Sequence, residues 1–158
     1  MMIENMHHYL TTVQPRQNPT LEDFLRKAQT EYSEHLLLYT QSVIRRPVGK
    51  LLDFVTHVEG LLEKGEQPEV SHQRSAFKKV LKDHDGKEIK RGIDQLRKRV
   101  EKHFEGEGEV ADKVEGVLEE EFIKLHKRVQ LLLVKPPYKD TGLEVEFLVG
   151  DVRAGFKR

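Results

Sequence analysis

The chain contains no cysteine and no tryptophan, and its aromatic content is only 7%. Without thiols there is neither a disulfide framework nor a thiolate metal site, which fits a reducing, cytosolic compartment. Net charge is also missing. Lys and Arg number 27 and Asp and Glu number 27, so solubility rests on interspersed charge and not on net repulsion. No apolar run approaches the roughly 20 residues needed to span a bilayer, so the sequence reads as not transmembrane. The opening MMIENMHHYL lacks the basic flank and apolar core of a secretory signal. HExxH, GxSxG and a phosphate loop ending in Lys-Ser/Thr are absent too, which leaves no catalytic residues to assign and no enzymatic reading.

What the chain does have is helical periodicity. At 158 residues it is long enough for one domain with a real core. A first helix is expected over Met2–Val13 and a linker over 15–19. Thr20 is placed to cap the next helix, with Asp23 in the reciprocal position of a capping box. Leu21, Phe24, Leu25, Ala28, Tyr32, Leu36, Tyr39 and Val43 keep helical spacing. Pro47 lacks an amide donor and disfavours a helical residue before it, so a break or kink is expected at 45–47. The pattern resumes through Leu51, Phe54, Val55, Val58, Leu61 and Leu62, and Gly65 opens a loop at 65–72. Short and long helices follow over 73–82, 86–104 and about 110–132. In the tail, 141–158, Leu143, Val145, Phe147 and Val149 alternate with Glu144 and Glu146 and read as an extended segment lying along the bundle or adding to a partner, with DVRAGF read as a final turn of helix. The fold class is therefore all-α: an elongated antiparallel helical bundle with a short extended C-terminal segment. The expected core includes Leu51, Phe54, Val58, Leu61, Ile93, Leu96, Val100, Phe122, Leu125 and Val129. With so few aromatics, some stripes are expected to complete a larger rod or an assembly.

The segment 86–104 is the most informative. Ile89, Ile93, Leu96, Val100 and Phe104 form one stripe, and Gly92 inside the same segment either permits a close helix approach or is simply tolerated. Lys87, Lys90, Arg91, Lys98 and Lys102 form a basic face, with Arg45, Arg46 and Lys50 a second cluster beside Pro47. Residues 78–102 hold ten basic and five acidic side chains, whereas 105–121 hold eight acidic and one basic. The basic face thus reads in one of three ways. It is a solvated surface pairing with the acidic block, or a site for anionic phospholipid headgroups, phosphoinositides among them. Nucleic acid is disfavoured, because aromatic interleaving and overall positive charge are missing. The eight histidines show no helical pair at three or four residues, so they read as exposed or capping groups, with no metal or cofactor site assigned.

Four segments, in order, resemble the C-terminal region of the exocyst complex component one family: IENMHHY, RRPVGKLLDFVTHVEGLL, KKVLKDHDGKEIKRGIDQLRKRVEKHF and GLEVEFLVGDV. The resemblance runs over most of the chain. It departs at EGEGEVADKVEGV, at a shorter loop after Val70 and at KPPYKDTG. It implies a tethering-complex rod of stacked helical bundles and a structural role in holding secretory vesicles at the plasma membrane before fusion. Other exocyst subunits would be the partners, and the location would be cytoplasmic, peripheral at the inner face of the plasma membrane. The chain starts where that family is already deep in its rod, so it reads as a short gene product or a piece of a longer one. A peripheral membrane module using the basic face is the alternative.

Overall fold

A computed structural model describes residues 2–13 and 21–157. Six α-helices and one 3-10 turn account for the regular structure there: α1 (Met2–Val13), α2 (Glu22–Glu63), the 3-10 turn (Val70–His72), α3 (Arg74–Lys82), α4 (Gly86–His103), α5 (Gly108–Leu133) and α6 (Val149–Phe156). No strand occurs among the described residues. The all-helical bundle expected from periodicity is the fold observed.

The 42 residues of α2 form the longest element, roughly 60 Å at 1.5 Å per residue. Thr20, the expected cap, lies outside the described residues. Leu21 flanks the helix without a side-chain cap, and Asp23 pairs with Arg26 at 2.7 Å. At Pro47 the helix kinks without ending. Pro47 leaves the Val43 carbonyl without its usual donor, and Val48 takes up the distortion at φ −130°, ψ 15°. Burial keeps the helix from breaking here, since Val48, Leu51, Val55 and Val58 are fully enclosed just beyond the kink. Gly65 then terminates α2 with a left-handed φ of 71°. The Glu66 amide donates to the Leu61 carbonyl and the Gly65 amide to Leu62, the pattern of a Schellman motif.

The kink is where α2 meets α4. A Cβ added at Gly92 would lie 2.6 Å from the Pro47 Cβ, so only glycine lets the two backbones approach this closely. The α4 stripe (Ile89, Ile93, Leu96, Val100, with Phe104 just past the helix) is wholly buried. The stripe packs with α5's Val110, Val114, Leu118, Phe122, Leu125 and Val129 in one continuous core. At roughly 1.5–3 kcal/mol per large apolar side chain enclosed, this stripe supplies much of what offsets chain entropy. Leu61 departs from the expected core and is half-buried, while Phe24, a member of the first α2 stripe, is 64% exposed.

As far as Val149 the tail follows its period of two, and from there the expected extended segment is the helix α6 instead. Leu143, Val145, Phe147 and Val149 turn inward, and Glu144, Glu146 and Leu148 turn outward, with no strand partner. It lies along the bundle and is clamped to the start of α4. The Gly86 amide donates to the Glu146 carbonyl at 3.0 Å. Asp151 accepts the Leu148 amide at 2.8 Å and meets Lys90 at 3.1 Å. The Leu148 amide, with Lys90 second, holds the Asp151 carboxyl below its usual range.

Candidate interaction surfaces

Helix α4 owes its start to Asp85, whose carboxylate accepts the Glu88 amide at 2.9 Å. From that start the basic residues emerge on the exposed side. They do not form one free surface. Lys90 belongs to the tail clamp, Lys98 pairs with Asp94 at 2.8 Å, and Arg91 lies 3.8 Å from Glu88. Lys87 and Lys102 are exposed and have no ionic partner among the described residues. Arg45 turns back along α2 to Asp53 at 2.8 and 2.9 Å, whereas Arg46 and Lys50 stay exposed and unpaired among the described residues. Arg46 instead lies with Arg99 on the walls of a cleft of about 280 Å³ at the kink, completed by Pro47, Gly92, Gln95 and Leu96.

Arg97, on the same helix, does something the charge pattern did not reveal. It turns inward, 16% exposed, and pairs its Nε with Glu115 of α5 at 3.1 Å, Glu115 being 8% exposed. Its Nη1 donates to the Gly155 and Lys157 carbonyls at 3.2 and 3.3 Å, at the end of α6. One guanidinium therefore joins three helices and links the basic block to the acidic one. This ion pair between the two blocks lies in the interior. On the far side of α5, Arg128 grips Glu59 of α2 with two bonds, 3.1 and 2.6 Å, and also reaches the Thr56 hydroxyl.

The histidines divide. His84 caps α3 by bonding the Val80 carbonyl at 2.7 Å, as expected of a capping residue. His7 and His126 are buried and are neither exposed nor capping. His7 sits between Tyr32 and Glu109, and the ring of His126 meets Phe147 edge-on. Burial lowers the His126 pKa, an effect partly offset by a hydrogen bond with the Phe147 backbone. His57 and His72, fifteen positions apart and on different elements, stack with ring centroids 4.5 Å apart. Helical spacing could not show that pair, because the 65–72 loop creates it.

Among the described residues several large apolar side chains stay uncovered, on α2 and α5 as well as at Met2, Val70 and Leu148. Phe24, Leu37 and Leu38 face solvent on the first half of α2, and Leu131 and Val134 do so at the end of α5. Leu131 borders a groove of about 440 Å³ with Leu62, Leu132 and Pro136, rimmed by Glu59, Glu63, Arg128 and Lys135. Among the described residues no helix is long and apolar enough to cross a membrane.

Comparison with known proteins gives the arrangement a family. Exocyst complex component 1 of Mus musculus is 32% identical over 157 residues, covering 96% of this chain and 17% of that protein. Its Drosophila melanogaster counterpart is 28% identical over 159 residues, 98% of this chain and 18% of that protein. The chain thus spans less than a fifth of the length of these relatives. No solved structure matches. The family model "Exocyst complex component Sec3, C-terminal" matches residues 1–140, which takes in α1 through α5 with the kink and both charge blocks. A helical bundle in which these five elements follow one family pattern from the first residue onward belongs to the Sec3 C-terminal family of exocyst components.

Proposed function

We propose that the chain is a non-catalytic helical module of an exocyst assembly, and that it serves the tethering of secretory vesicles to the plasma membrane. The family match over residues 1–140 carries this reading. The exposed apolar side chains support it. Phe24, Leu37 and Leu38 on α2, and Leu131 beside its charged-rimmed groove, suit docking of a neighbouring helix steered by complementary charge. Its partners are other exocyst subunits, and its location is the cytoplasmic face of the plasma membrane at sites of secretion.

Co-purification from cells tests the reading. The wild-type chain recovers exocyst subunits, and Leu37→Glu with Leu38→Glu loses them while the thermal melt is unchanged. Recovery of no exocyst subunit by the wild-type chain would overturn it. The second reading, a peripheral module binding anionic phosphoinositides, draws on the unpaired and exposed Lys87 and Lys102 beside Lys90, Arg91 and Lys98. Its signature is salt-sensitive sedimentation with anionic vesicles that is abolished by Glu at Lys87 and Lys102.

A further inference from the structure

The stacked histidines lie beside a carboxylate. His57 on α2, Glu69 at the start of the 3-10 turn and His72 at its end each offer one ligand atom, and these three atoms lie within 4.8 Å of one another. We propose that His57, Glu69 and His72 form a binding site for a divalent transition-metal ion of the zinc type, which fastens the 65–72 loop to α2.

The chemistry of the donors selects the ion. Two imidazole nitrogens and one carboxylate oxygen suit zinc and its neighbours, whereas magnesium and calcium take shells made of oxygen. Three protein ligands leave the fourth tetrahedral position to water. Ligand bonds of about 2.0–2.1 Å set donor atoms about 3.3 Å apart, so the side chains must close in by an ångström or so. His57 and Glu69 are exposed and free to do this by rotamer adjustment.

His72 is the fixed member. Its carbonyl accepts a hydrogen bond from the phenol of Tyr138, which is itself buried. Its ring rests against Phe54 at 4.8 Å, Phe54 stacks on Phe77 at 4.7 Å, and Phe77 meets Tyr138 edge-on at 4.8 Å. Ser71 Oγ lies 2.9 Å from His72 Nδ1. With Nδ1–H donating to that hydroxyl, the Nε2 lone pair is left for a metal, the usual way an outer partner fixes the tautomer of a ligating histidine. The site is independent of the exocyst reading.

Titrating the full chain with zinc chloride, by calorimetry and by thermal melting followed by circular dichroism, tests the proposal. Zinc raises the melting temperature progressively as its concentration increases beyond the dissociation constant, and magnesium does not. His57→Gln and Glu69→Gln, both at exposed positions, melt like wild type without metal, and each binds zinc roughly tenfold or more weakly. Cobalt substitution gives the visible absorption of a tetrahedral ion, which is absent from His57→Gln. Zinc that leaves the wild-type melt unmoved, or that binds a variant carrying both His57→Gln and Glu69→Gln as tightly as wild type, overturns the site.

Discussion

Arg97 and His126 are the residues at which small chemical changes should be felt most. Replacing Arg97 by Ala leaves the Glu115 carboxylate without its buried cation and strips two carbonyls at the end of α6 of their donor. Breaking one side of a buried pair costs about 3 kcal/mol or more. Urea denaturation should show that loss for Arg97→Ala, and a much smaller one for Lys98→Ala, which cuts an exposed, solvent-screened pair. His126 bears on pH. Its folded pKa lies below the ordinary histidine value near 6.5, so the unfolded chain binds the proton more readily. Stability is then held above about pH 6.5 and falls as the pH drops through that value toward the lower folded pKa. Melting curves between pH 7.5 and pH 5 should fall less steeply for His126→Gln than for wild type. Neither role was visible in the sequence. The position of Arg97 beside two other basic residues hid its inward turn, and the burial of His126 depends on Phe147, more than twenty positions away.

At the scale of the elements, α4 is the piece most legible in advance. Its five apolar positions are all enclosed, and of the two readings open for Gly92 the close helix approach is the one observed, against Pro47. Leu96→Asp puts an unpaired charge into that face and should unfold the bundle, because the desolvation cost is several kcal/mol. An unchanged thermal melt would contradict the packing described. Gly92 offers a sharper test through its sign. Gly to Ala inside a helix ordinarily gains about 1 kcal/mol. Gly116→Ala in α5, with open space around its Cβ, should show that gain. Gly92→Ala should instead lower the melting temperature, since its methyl group would strike the Pro47 ring. The behaviour of α2 at Pro47 was legible only in part. Local rules foresee a distortion, but they cannot say that Val48 and the side chains beyond it are enclosed firmly enough to carry the helix through.

For the whole molecule, periodicity was sufficient for the class of fold and for residues 143–147 of the tail, though the extended reading of the tail gives way to α6 from Val149 onward. It was insufficient for the surfaces. The basic face looked uniform as a string of letters, but folding spends Lys90 on α6, turns Arg97 inward and places Arg46 and Arg99 on the walls of one cleft. The His57–Glu69–His72 grouping arises from the return of a loop, information that no spacing rule contains. Phe24 shows the opposite error. It fits the stripe of α2, yet it faces outward, because a stripe states which residues share a side and not how far the covering elements extend.

The kink at Pro47 also governs direction. About 25 residues separate it from the start of α2, an arm of roughly 38 Å. Rotating that arm by 5° about the bend would carry its tip about 3 Å, a full atomic diameter, at the end where Phe24 is displayed. The absence of a single carbon at Gly92, on a different helix, thus sets the bearing of a pointer whose far end lies several turns away.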